Sequence, residues 1–379
     1  MAPGSDITAE TLRARFDASG PLTVGLEEEV LLLDPETLDL APRAAEVLER
    51  LGDPARFKPE LPAAQLEIVT APHERLDGAL AELAAGRETL AEASAGIARP
   101  AATGLHPFTD PFGELAPLEA YEHTRAEYGK VARLQLVSAL QVHVAVGGAD
   151  RSLAVYNALR SYLPEILALS ANAPYLGGED SGMATARPKI NELLPRQGVP
   201  PAIPSWDEFA DALRWGAAAG NVHTPRTWWW ELRPHAAYGT LEVRVPDAQT
   251  TIEDAAAVAA TVVALVARLA ERHDAGEPLP AAPTWRIEEN RWSAARHGLD
   301  GTLADLETGE RRPTRDRLLE LLDELGAEEA RPLVERGGAA RQRAIAAERG
   351  LAGLAGWLAD GFVHPGGWSG AGRGTYAPR

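Results

Sequence analysis

The sequence predicts an α+β protein with a mostly antiparallel sheet and helices packed outside it. Two observations carry this. The first two thirds of the chain are rich in strand-like segments with helices inserted, and the remainder reads as helix. Four strand segments, Gly25–Leu31, Gln65–Val69, Leu140–Val144 and Leu241–Val245, set acids, a histidine and an arginine against apolar residues. Side chains alternate faces along a strand, so Glu27 and Glu29 share a face, as do Gln65 and Glu67, Gln141 and His143, and Glu242 and Arg244. A solvated sheet face usually carries Thr, Lys, Ser and Gln. Carboxylates mixed with an imidazole and a guanidinium suit hard cations and phosphate oxygens, which points to a catalytic sheet face.

In chain order, residues 1–20 read as a loosely attached N-terminal leader with one short helical piece. A strand over 22–33 ends at the turn Asp34-Pro35-Glu36-Thr37, and Leu66 to Thr70 is the next, closed by Ala71-Pro72. Residues 76–98 have helical apolar spacing and good helix formers. A short strand over 101–105 runs into the loop His106-Pro107-Phe108, and a helix over 117–130 precedes a strand over 133–146. The helix expected over 151–172 contains Pro164, which lacks a backbone donor and crowds the preceding turn, so that helix is kinked or split. Residues 173–204 are rich in Gly and Pro and read as a long irregular segment of the kind that often serves function. A helix over 206–219 leads to strands over 227–233 and 240–246, and helices follow over 252–273, 285–297 and 314–348. No repeat or linker divides the chain, so 21–360 is expected to be one catalytic domain, with a Gly-rich tail over 361–379.

The 379 residues are 45% hydrophobic and 24% charged, a composition that supports a packed globular core. The net charge of -18 argues against a nucleic-acid partner and against docking on anionic lipid. It leaves room for an anionic substrate, because a divalent cation and a few arginines reverse the sign locally. There is no cysteine, which excludes disulfides, thiolate nucleophiles and Cys-ligated zinc. The first twenty residues lack a basic stretch followed by an apolar one, and no run is long enough to span a membrane, so a cytoplasmic location is expected. Lysine occurs only at Lys58, Lys130 and Lys189, so phosphate contacts would fall to arginine and metal.

Each motif has a plainer reading beside the functional one. The triplet Glu27-Glu28-Glu29 would suit a solvated edge, but apolar residues continue both faces, and charges buried without a counter-ion are expensive. Glu67 would suit an ordinary ion pair with arginine, and Glu60 brackets the same segment. A lone His143 is usually a satisfied core residue; the acidic strands beside it raise its value. His73, His106 and His235, each next to or near proline in loops, read as turn structure. Arg233 and Arg244 could grip a phosphate or carboxylate with two hydrogen bonds, or pair with Glu231 and Glu242. Trp228-Trp229-Trp230 reads as packing. No Gly-Lys-Ser/Thr phosphate loop and no His-Glu-x-x-His zinc spacing occurs, and Gly370-Ala371-Gly372-Arg373-Gly374 lacks the following helix of a dinucleotide site.

Taken together, these pieces resemble the carboxylate–amine ligase family, also called glutamate–cysteine ligase type 2. The resemblance rests on Gly25-Leu26-Glu27-Glu28-Glu29, Gln65-Leu66-Glu67-Ile68-Val69-Thr70, Gly104-Leu105-His106-Pro107-Phe108 and Leu140-Gln141-Val142-His143-Val144. It continues through Leu169-Ser170-Ala171-Asn172-Ala173-Pro174, Gly239-Thr240-Leu241-Glu242-Val243-Arg244 and Glu289-Asn290-Arg291-Trp292, in the expected order from 20 to about 300. It implies a curved antiparallel sheet akin to the catalytic sheet of glutamine synthetase, with helices outside. It implies an enzyme that activates a carboxylate with ATP and passes the acyl group to an amine, with ATP and Mg2+ as cofactors. Glu27, Glu29, Glu60, Glu67, His143 and Glu242 would then hold magnesium. Arg233 and Arg244 would neutralise the transferred phosphoryl group, and Arg187 would hold a substrate carboxylate or phosphate. Glu67 or Glu242 could take the proton of the attacking amine. A homodimer is implied as well. The loop from Ser181 keeps the family's Ser/Thr and Arg pattern, whereas Pro188 to Asn191 depart from it. A guanidino-type phosphotransferase and a catalytically silent nucleotide-binding protein are the competing readings.

Overall fold

The computed structural model describes residues 7–20, 22–220 and 227–363. Eleven strands are present among them: β1 (Val24–Leu33), β2 (Phe57–Pro59), β3 (Gln65–Val69), β4 (Arg99–Ala101), β5 (Leu140–Val144), β6 (Tyr175–Leu176), β7 (Glu179–Asp180), β8 (Leu232–His235), β9 (Thr240–Val243), β10 (Thr302–Ala304) and β11 (Arg311–Pro313). Seven of them form an open sheet in the order β2-β3-β1-β5-β9-β8, with β4 also pairing β1, and every pairing in it is antiparallel. The α+β class with an antiparallel sheet is therefore as the sequence predicts.

The apolar half of the alternation builds the core. Leu26, Val30 and Leu32 of β1, Leu66 and Ile68 of β3, Val142 and Val144 of β5, and Leu241 and Val243 of β9 are all buried in one cluster. Helices Leu76–Ser94, Ala149–Leu159 and Ile252–Asp274 pack over that face. Burial of one face fixes the register, because a one-residue slip would turn the apolar set outward. With that register fixed, Glu29 pairs with Glu67, Glu27 with Gln141, and Glu242 with both His143 and Arg233. The polar rows thus meet on the opposite face.

Several elements differ from expectation for local reasons. The helix expected over 151–172 is split into Ala149–Leu159 and Leu163–Ser170 by the 3-10 turn Arg160–Tyr162, and Pro164 sits in the first turn of the second helix, where its missing donor is harmless. The expected 314–348 helix is three helices, Thr314–Leu325, Arg331–Arg336 and Gly338–Asp360. Gly326 and Gly337, at φ 66° and 65°, take the left-handed backbone that ends the first two. The strand expected over 227–233 begins at Leu232, the one over 101–105 is Arg99–Ala101, and the one over 133–146 is confined to Leu140–Val144. The irregular 173–204 segment holds the hairpin β6–β7 and the short helix Arg187–Asn191, and the hairpin β10–β11 was not anticipated. The described part of the leader is packed rather than loosely attached: helix Ala9–Ala18 is capped by Thr8 and buries Leu12 and Phe16, the latter 4.7 Å ring to ring from Trp206. The tail beyond residue 363 lies outside the described residues.

Glu28 is the one acid of β1 that points into the core. It is fully buried and meets Arg87 of helix Leu76–Ser94 through two hydrogen bonds of 2.5 and 2.8 Å. Arg87 also donates to the carbonyls of Gln249 (2.7 Å) and Phe362 (3.1 Å), tying the strand to the C-terminal part of the fold. Removing one partner strands a buried charge, so Arg87→Met is expected to cost about 3–5 kcal/mol in urea unfolding. The double variant Glu28→Leu/Arg87→Met should recover most of that; an unchanged midpoint for Arg87→Met would contradict the pairing.

Candidate active site

Three predicted ligands converge on the polar face. One ligand atom each from Glu27, His143 and Glu242 lie within 4.8 Å of one another. His143 Nε2 is 3.5 Å from Glu27 Oε1 and 3.9 Å from Glu242 Oε1, yet among the described residues it has no hydrogen-bond partner although it is buried. Its other nitrogen, Nδ1, lies 3.0 Å from the Thr240 hydroxyl. In a metal-bound state, with Nδ1–H donated to that hydroxyl, Nε2 would turn a lone pair to the ion between two carboxylates. This donor set fits a hard divalent cation.

The electrostatics of the three acids on the wings of the site are different. Glu29 accepts hydrogen bonds from the Ala139 amide (2.7 Å) and Gln141 Nε2 (2.9 Å), so its carboxylate is anchored to the chain. Burial pushes its carboxyl above the usual range, against the pull of Arg244 and Arg187. Burial, then the charges of Glu27 and Glu60, push Glu67 well up, with Lys58 (Nζ 3.8 Å away) only partly compensating. Burial and Glu29 push the half-buried Glu60 up to about 8. Glu27 goes the other way: burial would raise it, but His143 outweighs that and holds it at about 2.

The arginines converge on one carboxylate. Glu242 has no solvent exposure, and Arg233 clasps both of its oxygens through Nε and Nη2. Arg244 Nη1 donates to the same Glu242 oxygen and, at 2.6 Å, to Gln141 Oε1. Burial would raise the Glu242 carboxyl, but Arg233, Arg244 and His143 together hold it well below the usual range. Glu231 takes a different partner, Arg291, in a two-point pair of 2.6 and 2.8 Å. Arg187 is buried and bonded to Asp247 and to backbone carbonyls, and it also lines the neighbouring cavity.

That cavity, of about 200 Å³, adjoins the acidic face and is lined among others by Glu29, Glu60, Tyr121, Arg187, Trp229 and Glu231. On the other flank, His235 stacks on the half-exposed Tyr238 at 4.2 Å, and both rings meet His143 edge-on at 5.4 and 5.7 Å. Burial, then His143 and Arg233, lower the His235 imidazole to about 4 against the pull of Glu242. It is a neutral wall of the site, more than a turn residue. His106, by contrast, is structural, with one nitrogen 2.8 Å from the Leu38 carbonyl and the other accepting from the Thr109 amide.

Lys58, Gln141, Glu231 and Arg291 were not singled out as site residues. Lys58 lies on a strand of three residues, too short to show a period. Gln141 shares the face of His143 and could have been chosen on that ground. The partnership of Glu231 and Arg291 spans 60 residues and leaves no local trace.

Comparison with known proteins gives the same direction. The family model described as glutamate-cysteine ligase family 2 matches residues 23–352. A Rubrobacter xylanophilus relative, provisionally named glutamate–cysteine ligase 2-3, is 38% identical over 360 residues, covering 89% of this chain and 96% of its own. A Thermobifida fusca relative, provisionally named glutamate–cysteine ligase 2, is 34% identical over 343 residues, covering 88% and 84%. Among solved structures, the Francisella tularensis glutamate–cysteine ligase in complex with AMP superposes with a TM-score of 0.68 at 14% identity, covering 92% of this chain and 91% of that one. A bifunctional glutathione synthetase from Pasteurella multocida gives a TM-score of 0.60 at 16% identity, covering 93% and 53%. The family match defines a carboxylate–amine ligase. The chain belongs to glutamate–cysteine ligase family 2.

The crowding of acids has a consequence for stability. Glu60 holds its proton in the folded state at pH values where the unfolded chain has lost it, so its contribution to stability falls as pH rises from about 4.5 to about 8. Glu60→Gln should therefore raise the melting temperature of the metal-free protein at pH 8.5 and change it little at pH 4.5. An equal shift at both pH values would contradict the charge-crowding account.

Proposed function

We propose that this enzyme is an ATP-dependent ligase that joins the side-chain carboxylate of glutamate to a cysteine-like amine through an acyl phosphate. The observation that carries the reading is the Glu27–His143–Glu242 triad, whose buried and unpartnered Nε2 faces two carboxylates beside two arginines. Glu27, His143 and Glu242 would hold one magnesium, and Glu29, Glu60 and Glu67 would serve further ions along the same face. An ion held there would supply positive charge against the negative charge that builds on phosphoryl transfer.

The chain's own residues supply the remainder. Arg233 and Arg244 are kept on the face by Glu242, pre-organised for the charge that develops on the moving phosphoryl group. The amine must attack as its free base. Glu242 is a poor proton acceptor because two arginines and His143 hold its carboxyl low, which leaves Glu67, with an oxygen not engaged by metal, as the acceptor. The cavity beside Glu60 and Glu231 is large enough for a small amine substrate and opens onto the same face. No helix among the described residues is long and apolar enough to cross a membrane. We place the enzyme in the cytoplasm, acting on small molecules as a homodimer; light scattering of the purified protein tests the dimer.

The test is ADP release from purified protein with Mg·ATP and glutamate, with and without cysteine and a panel of other amines, and with products weighed by mass spectrometry. A condensation product one water lighter than its two parts, formed with stoichiometric ADP, is expected. A phosphorylated product without an amide would point instead to a phosphotransferase. His143→Ala should lower ADP release about 100-fold and raise the magnesium requirement; a variant as active as the wild type would remove His143 from the site.

A further inference from the structure

Arg187 was expected to grip a substrate group, but most of its guanidinium faces the protein. Its Nε donates to Asp247 Oδ1 at 2.7 Å, and its Nη2 donates to the carbonyls of Arg244 (3.3 Å) and Val245. Nη1 makes no protein hydrogen bond among the described residues, and the side chain lines the cavity.

Asp247 is fully buried and carefully held. Its second oxygen accepts the Asn172 amide at 2.7 Å. Asn172 is held in turn: its Nδ2 donates to the Ala248 carbonyl at 2.9 Å, and its Oδ1 accepts from Gln342 Nε2 at 2.8 Å. Gly104 leaves the necessary space, since a Cβ there would lie 2.7 Å from the Asp247 carboxyl carbon and 2.9 Å from Oδ1. Three segments of the chain therefore meet at one carboxylate, and Gln342 from a fourth holds Asn172 in place. If its task were packing alone, a well-fitted apolar group would serve as well or better, because buried ion pairs are weak stabilisers. What the pair does geometrically is clamp the backbone at 244–245. That backbone carries Arg244, whose guanidinium bridges Glu242 and Gln141.

We infer that Asp247 is a positioning residue for the reaction: it sets Arg187 against the carbonyls of Arg244 and Val245 and so fixes the Arg244 guanidinium on the acidic face. The inference rests on reading that face as the Mg·ATP site. It also assigns Gly104, Asn172 and Gln342 a shared task, that of holding Asp247.

The experiment compares the full-length wild type with Asp247→Asn, Arg187→Lys and the double variant. It measures melting temperature, affinity for Mg·adenylyl-imidodiphosphate by calorimetry, and kcat and KM for ADP release with glutamate and cysteine. Asp247→Asn is expected to remain folded with a lowered melting temperature, to bind the nucleotide analogue about 10-fold more weakly at a temperature well below that melting, and to lose about 10–100-fold in kcat. Because the two residues act as one unit, the double variant should be no worse than the worse single one. Wild-type affinity and kcat in Asp247→Asn would overturn the inference, as would losses that multiply in the double variant. Should Asp247→Asn fail to fold, Arg187→Lys carries the test alone: it keeps the charge but loses the fork to the two carbonyls, and wild-type kcat in it would overturn the inference. A wild-type protein that does not bind the nucleotide analogue would instead overturn the reading of the face as a nucleotide site, and the inference with it.

Discussion

One buried carboxylate organises this molecule. Glu242 sits at the floor of the polar sheet face with no solvent exposure, clasped by Arg233 and Arg244 and facing His143. An acid so placed can stay ionised only because cations surround it. The reciprocal holds for the arginines, which are kept in an environment that would otherwise expel them. The register of β5, β9 and β8 exists in a form that allows this, with His143, Glu242 and Arg233 in one row. The opposite face pins that register through Val142, Val243 and Leu232. Core packing and site chemistry are therefore two faces of one constraint.

Across β1 and β3 the same face is left deliberately short of cations. Glu29 and Glu67 are cross-strand partners, and Glu60 lies near enough to raise the proton affinity of Glu67. Lys58 is the local cation, and it sits 3.8 Å from Glu67. Such a cluster is unfavourable alone and becomes favourable when a divalent cation is bound. The gradient from an arginine-saturated end to a cation-poor end suits a polyphosphate whose charge must be both gripped and bridged. The chain as a whole, at -18, would repel such an anion, so the arginines and a bound cation would have to reverse the sign at this face.

Much of the site was legible because strand alternation was visible on both sides. Glu67, His143 and Glu242 each lie between apolar neighbours, and Glu27 alternates with Leu26 and Glu28, so the face each takes on its strand followed from the period alone. Partnerships were less legible. The sequence allowed Glu231 to pair with Arg233 two residues on, but β-strand geometry sends Arg233 to Glu242 across the hairpin and leaves Glu231 to Arg291 on a distant helix. Glu28 looked like part of one acidic triplet, whereas alternation turns it into the core, where Arg87 waits. Arg187 and Asp247 lie outside the sheet, where no period exists to read. In the helical third, apolar spacing ran on through Gly326 and Gly337, and only their left-handed backbone shows where the helices stop.

The most direct test of the metal-binding face is a crystal structure grown with Mn2+ and adenylyl-imidodiphosphate, with data collected at the manganese edge. The expected result is an anomalous peak at about 2.1 Å from a Glu27 oxygen and from His143 Nε2, with Glu242 completing the group and the analogue's phosphates over Arg233 and Arg244. A nucleotide bound away from this face, or manganese found elsewhere with the triad left bare, would contradict it.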